Sequence, residues 1–283
     1  MNSASPRGRI DVAGFGLRFG QTTAVSDISL HVKPGEFVSL IGPSGCGKST
    51  VLNAVAGFLT PTAGRVLVDS EPVRGPSADR GMVFQQYSLF PWKTVRENVE
   101  FGLKMQGMGK SERLATARTL LSVAGLHAFE NHYPEQLSGG MKQRVGIVRA
   151  LATGPRVLLL DEPFGALDAQ TRMIMQELLL DLWEGLKISV LFVTHDIDEA
   201  IFLSDRIYVV TAAPGRIKAE LTVPLPRPRA AGMSETADFH HLRGRLLELI
   251  REESLRAMGN EVAAQSGRRA GLDLADAIGA ARL

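Results

Sequence analysis

The nine residues Gly42-Pro43-Ser44-Gly45-Cys46-Gly47-Lys48-Ser49-Thr50 constrain this chain more than any other segment. They fit the pattern G-x-x-x-x-G-K-[ST] and follow the apolar run Phe37–Ile41, so a strand is predicted to enter the loop and a helix to leave it near Lys48. Glycines in such a loop let successive backbone N–H groups turn inward as an anion-binding nest, and the helix adds its positive N-terminal end. Lys48 has the reach for β- and γ-phosphates, and Ser49 offers a hydroxyl to Mg²⁺. The plainer alternative, a glycine turn with an incidental lysine, leaves the strand and helix context unexplained.

A strand feeding a helix through such a loop belongs in a parallel sheet, and the surrounding pattern agrees. From Ile10 to about Pro226 apolar runs alternate with helical patterns, the rhythm of βαβ units in an α/β domain. Strands are predicted at Phe37–Ile41, Arg65–Val68, Val157–Leu160, Ser189–Val193 and Arg206–Val210, and the solidly apolar Val157–Leu160 and Val190–Val193 suit strands buried on both faces. Between Ser88 and Ala152 the spacing of Leu114, Ala117, Leu120 and Leu121 turns helical, which reads as a subdomain of about residues 88–152 inserted into the sheet domain.

Residues 1–9 read as a loose tail, Val223–Arg229 as a Pro-rich linker, and Phe239–Ile250 as an amphipathic helix carrying Leu242, Leu246, Leu249 and Ile250. Ser254–Leu283, rich in Ala, Gly and Arg, is expected to be partly ordered at best. The division is therefore 1–9, 10–226 and 227–283, with no internal repeat.

Composition excludes several function classes. Lys and Arg number 32 against 30 Asp and Glu, a net charge of +2 that gives no support to a nucleic-acid partner. No apolar run approaches the roughly 18 residues of a membrane span. Cys46 is the single cysteine, so an internal disulfide and a multi-thiolate zinc site are excluded. Met1–Ile10 carries Pro6, Arg7, Gly8 and Arg9 without an apolar core; it is not read as a secretory signal, and a cytoplasmic location is expected.

Two further segments carry chemistry. Asp161 and Glu162 follow Val157–Leu160, at the carboxyl end of a predicted strand, where open parallel sheets bind their ligands. An acid there can hold a Mg²⁺ shell, and Glu162, one residue on, is placed to act as general base on an attacking water. A solvated turn is the alternative for an acidic pair taken alone. Ser138-Gly139-Gly140, ahead of a helical run to Ala152, makes a second exposed N–H cradle suited to phosphate, or else an ordinary capping loop.

With this trio in order, Ile10 to Val223 resembles the nucleotide-binding subunit of ATP-binding-cassette (ABC) transporters. The resemblance implies a P-loop NTPase cassette: a RecA-like parallel-sheet core, an antiparallel β subdomain and an inserted helical subdomain. It implies ATP and Mg²⁺ as ligands, bound by Gly42 through Thr50, with Ser49 and Asp161 at the metal. Gln85 in Met82-Val-Phe-Gln85 resembles the glutamine that contacts Mg²⁺ and water and senses the membrane subunit. Asp168 in Leu167-Asp168 resembles the loop that crosses the dimer interface, and His195 in Thr194-His195-Asp196 the histidine that contacts the γ-phosphate. Phe19 sits where the family places an aromatic on adenine; a partly buried edge-strand Phe is the alternative. Met141 replaces the glutamine of many such signatures, and Cys46 is a small filler of the loop or a thiol whose modification would block ATP.

The family also implies partners. Two cassettes pair head to tail, with ATP between Lys48 of one and Ser138 of the other, on membrane permease subunits served indirectly by an extracytoplasmic solute-binding protein. That places the subunit on the cytoplasmic side of the inner membrane. Phe90 and Trp92 are expected at the permease interface and Leu89 in the core. Leu89-Phe90-Pro91-Trp92 and Thr194 through Ala200 look most like importers of nitrate, sulfonate, taurine and similar small ions. Cassettes for amino acids or lipids, and soluble cassettes without a permease, are the competing classes; the zinc modules or long coiled coils of DNA-repair cassettes have no counterpart here.

Overall fold

The period-two alternation of the apolar strands accounts for the arrangement of the whole molecule. In the computed structural model, which describes residues 7–269 and side chains to Met258, the first strands form a separate sheet. These are β1 (Ile10–Phe19) and β2 (Thr22–Val32), joined later by β4 (Ala63–Val68) and β5 (Glu71–Pro72), in the order β2-β1-β4-β5 and antiparallel throughout. This is the expected β subdomain, although only β4 stands out as a strand in the sequence.

The second sheet has the order β10-β9-β3-β8-β7-β6. Its members are β3 (Phe37–Ile41), β6 (Arg80–Val83), β7 (Val157–Asp161), β8 (Ser189–Thr194), β9 (Arg206–Val210) and the edge strand β10 (Ile217–Thr222). All pairings are parallel except that of β10 with β9. Alternate residues feed two cores. Phe37, Leu158, Phe192 and Val209 join one cluster, whereas Val38, Leu159, Leu191 and Tyr208 join the other. Helices cover both faces, so the strands need apolar side chains on both sides. Helix α1 (Lys48–Ala56) packs on the face shared with the β subdomain, and α5 (Ala169–Leu186) and α6 (Ile197–Leu203) on the opposite face.

Between β6 and β7 lie α2 (Val95–Met105), α3 (Lys110–Val123) and α4 (Gly139–Ala152), which bury a third core of Val95, Val99, Leu103, Leu121 and Val145. Helix α2 starts with a reciprocal capping box between Thr94 and Glu97. Beside it the fully buried Asn98 accepts from the Phe90 amide and donates to the carbonyls of Phe90, Lys93 and Thr94. One side chain thus fixes the loop that carries the aromatic residues.

The Val223–Arg229 segment departs from the expected linker. Val223 and Leu225 are buried in the same core as α5 and α6, and Arg227 stacks on Trp183 with its guanidinium 4.1 Å from the ring centroid. Prolines give this stretch a linker's composition, but alternate residues between them are apolar or basic and find buried partners. Helix α7 (Ala237–Arg269) follows and adds Phe239, Leu242 and Leu246 to that core. It runs well past the helix expected over Phe239–Ile250 and includes Ser254–Arg269; residues 1–6 and 270–283 lie outside the described residues.

Candidate functional site

Register across the parallel sheet builds the site. Ile41 of β3 lies opposite Thr194 of β8, Asp161 of β7 opposite Val193, and Val83 of β6 opposite Leu160. Four strands therefore end at nearly one level, and the residues just beyond them (Gly42 onward, Glu162, His195 and Gln85) emerge along one edge, the carboxyl edge at which open parallel sheets bind their ligands.

The loop itself is held from within. Gly45 and Gly47 take the left-handed conformation with φ of 74° and 96°. A Cβ on Gly47 would stand 2.5 Å from Val25 Cγ2, so a side chain here is strained and would have to displace Val25. Lys48, almost fully buried, donates from Nζ to the Gly42 carbonyl at 2.8 Å and the Pro43 carbonyl at 3.0 Å. Cys46 is wholly buried and its thiol is pushed up in pKa mainly by that burial. It fills space and holds a neutral sulfur 3.7 Å from Lys48 Nζ. Ala24, Ser44, Gly45, Gly47, Lys48, Ser49, Thr50 and Glu162 line a cavity of about 230 Å³ over the loop.

Ser49 Oγ donates to Asp161 Oδ1 at 2.7 Å. Burial raises the Asp161 carboxyl above its ordinary range, opposed by the Ser49 hydrogen bond. A half-buried carboxylate with a hydroxyl beside it is a donor set for a hard cation such as Mg²⁺. Next to it Glu162 is held at φ 43°, a left-handed conformation rarely taken by a residue with a side chain. Its Oε2 lies 3.1 Å from His195 Nδ1 and 3.5 Å from Gln85 Nε2. Thus Gln85, Asp161, Glu162 and His195 come together with Lys48 and Ser49.

Ser138, Gly139 and Gly140 do not. Ser138 caps α4, its Oγ accepting from the Met141 amide at 3.3 Å. Around the two glycines stand Tyr87, Leu167 and Thr171, and none of the three residues lines the cavity over the phosphate loop. Asp168 likewise caps α5, accepting from the Thr171 amide at 2.9 Å, which holds its carboxyl below the usual range. Phe19, at the end of β1, is 54% exposed, and Trp92 is 71% exposed beside Phe90 at 5.8 Å between ring centroids. Leu89 packs on the helical core.

Two residues behind His195 have no counterpart among the sequence candidates. Arg172 on α5 donates to Asp196 at 3.0 Å and to the Leu167 carbonyl at 3.2 Å, joining the turn before Asp168 to the segment after His195. Glu199 is buried and accepts from Thr194 Oγ1 at 2.7 Å; burial pushes its carboxyl up to about 7. An arginine and a glutamate at helical positions carry no local signal; only their meeting across two helices reveals them.

A glycine nest with an inward lysine, a carboxylate–hydroxyl pair and a glutamate–histidine pair define a nucleotide-hydrolysing cassette. The model of the ABC transporter family matches residues 25–165. The nitrate import ATP-binding protein NrtD of Synechocystis is 56% identical over 207 residues, 73% of this chain and 78% of that protein. The taurine import ATP-binding protein TauB of Yersinia pestis is 50% identical over 223 residues, 79% of this chain and 88% of that protein. Among solved structures, the ATP-binding cassette MJ0796 in a dimeric post-hydrolysis state bound to ADP and Pi is 36% identical with a TM-score of 0.67, covering 77% of this chain and all of that one. The chain belongs to the ABC transporter family, as an ATP-hydrolysing cassette.

Proposed function

We propose that this subunit hydrolyses ATP to drive import of a small solute of the nitrate, sulfonate or taurine type through a separate membrane permease. The observation that carries the reading is the convergence of Glu162, His195 and Gln85 on the crevice that contains Lys48, Ser49 and Asp161. Names of the relatives, nitrate and taurine import ATP-binding proteins, support the solute class. Among the described residues no helix is long and apolar enough to cross a membrane, which fits a subunit held at the cytoplasmic face by its permease.

In this reading the loop amides and Lys48 bind the β- and γ-phosphates, and Lys48 exchanges its bonds to Gly42 and Pro43 for phosphate oxygens. Ser49 and Asp161, with Gln85, would hold Mg²⁺, which supplies charge neutralisation between the phosphates. Glu162 accepts a proton from the attacking water, and His195, fixed against Glu162, steers toward the γ-phosphate. Phe19 offers a free ring face for adenine. Ser138 and its glycines, which do not line the cavity over their own chain's Lys48, serve the site of a second copy, whose Asp168 turn lies at the shared interface. A head-to-tail dimer of this kind buries two nucleotides, and an extracytoplasmic solute-binding protein presents cargo to the permease. Trp92 and Phe90, held out by Asn98, are the surface offered to that permease.

The test is Glu162→Gln, which keeps the shape and removes the base. ATP binding persists, dimers accumulate in ATP by size-exclusion chromatography, and kcat falls by about 10²–10⁴, the range for a lost general base. Turnover at the parental rate would overturn the assignment of Glu162.

A further inference from the structure

The segment after β10 carries two arginines that the ATPase reading leaves unused. Arg229 is nearly buried, and its Nη1 donates to the carbonyls of Ile201 at 3.0 Å and Phe202 at 2.8 Å. Arg227 donates from Nη2 to the Leu203 carbonyl at 2.8 Å and to Asp205 at 2.9 Å. Asp205 in turn accepts from the Phe37 amide of β3 at 2.9 Å. These carbonyls are the last three of α6, the groups a helix cannot satisfy by itself. Two cations at a helix C-terminus also match the negative end of its dipole. Burial lowers the pKa of Arg229 to about 10, with Arg227 adding to the effect, so it stays charged at neutral pH.

Helix α6 is seven residues long, too short to hold its shape without tertiary contacts. It begins at Ile197, directly after the His195-Asp196 turn. At that end it is fixed by Arg172 on Asp196 and by Thr194 on Glu199. At the other end it is fixed by the two arginines, and along its length by packing of Ile201, Phe202 and Leu203 in the core shared with Leu225, Phe239 and Leu242. The His195 side chain itself is 59% exposed and meets Glu162, so its placement follows the backbone on either side more than any packing around the ring. Strand β8 holds one side of that backbone, and α6 the other.

We propose that Arg229, assisted by Arg227, is a positioning residue for ATP hydrolysis: by clamping the C-terminal end of α6 it sets where His195 stands against Glu162. The Pro-rich segment is then part of the catalytic support and not a tether. The inference rests on the role given to His195 above.

Steady-state ATP hydrolysis by the full chain tests it, comparing Arg229→Ala, Arg229→Lys, His195→Ala and the double variant. Arg229→Ala is expected to lower kcat about tenfold while KM for ATP changes less than about twofold, because the phosphate loop is untouched. Arg229→Lys, which can still donate to the carbonyls, recovers most of the rate. The double variant is no slower than His195→Ala, since Arg229 acts through that histidine. If Arg229→Ala does not fold, Arg227→Gln takes its place, with a smaller loss of kcat and the same silence in the His195→Ala background. Parental kcat in the arginine variant, or losses that multiply in the double variant, would overturn the clamp while leaving the His195 reading intact. A parental rate for His195→Ala would instead remove the reading on which the clamp depends, and the clamp with it.

Discussion

The two glycine cradles of this molecule use the same ingredients and reach different states. At Gly42–Thr50 the nest is flanked by reactive groups of its own chain: Lys48 is folded onto the Gly42 and Pro43 carbonyls, Ser49 holds Asp161, and Glu162, with His195 against it, lines the cavity. At Ser138–Gly140 the serine caps its own helix, and the nearest atoms around the two glycines belong to Tyr87, Leu167 and Thr171. The first cradle sits in a cavity with a lysine, a hydroxyl and two carboxylates around it, and the second lies outside that cavity. The lesson is that a glycine loop ahead of a helix takes its character from what the fold brings opposite it.

The sharpest way to break this comparison is complementation. Lys48→Ala and Ser138→Arg subunits are each expected to be nearly inactive alone. Mixed in equal amounts they regain up to about a quarter of parental turnover, because one of the two sites in a head-to-tail heterodimer pairs an intact Lys48 with an intact Ser138. A mixture that stays as inactive as its components would place both cradles in one chain's site and end the comparison.

A second test addresses the wall behind His195. Glu199 has a folded-state pKa of about 7, above its unfolded value near 4.3, so the folded protein binds the extra proton between these values. Stability therefore falls as pH rises through this window, by up to about 3 kcal/mol, and the loss is complete above the folded pKa. Thermal unfolding between pH 5 and 8 should show a decline in Tm that Glu199→Gln flattens. An unchanged slope in that variant would assign the effect elsewhere, whereas a flattened one marks the segment behind His195 as the pH-sensitive one.

The smallest expected effect separates the two sets of glycines. Gly47→Ala forces a side chain into a left-handed backbone and against Val25, costing about 1–3 kcal/mol in urea unfolding. In Gly139→Ala the new Cβ would stand 2.8 Å from the Tyr87 hydroxyl, the far end of a side chain that can move, so the loss stays below about 1 kcal/mol. Equal losses would show the second cradle to be as tightly built as the first.

The legibility of these features in the sequence follows how local they are. The phosphate loop was readable because its pattern is written in nine consecutive residues, and the paired faces of β7 and β8 because burial on both sides demands unbroken apolar runs. Strands β1 and β2 were harder to read, since they pair in an antiparallel subdomain sheet with bulges and mix exposed with buried positions. Arg172 and Glu199 were invisible because a contact across two helices, Arg172 Nε to Glu199 Oε1 at 3.6 Å, leaves no periodic trace. The Val223–Arg229 segment misled because proline content speaks of backbone stiffness and says nothing of what the intervening Leu225 and Arg229 touch.

By itself the sequence determined the chemistry of each piece: a nest for phosphate, an acid pair at a strand end, a capped glycine loop, a histidine after a buried strand. Such properties depend on φ angles, hydrogen-bonding groups and side-chain types a few residues apart. Tertiary structure decided which pieces meet. Parallel register brings residues 42, 85, 162 and 195 to one edge although more than 150 positions separate the first from the last. The same fold leaves Ser138 outside the cavity over the phosphate loop and turns a proline-rich stretch into the cap of α6. Those outcomes depend on burial shared between distant segments, which no short window of sequence contains.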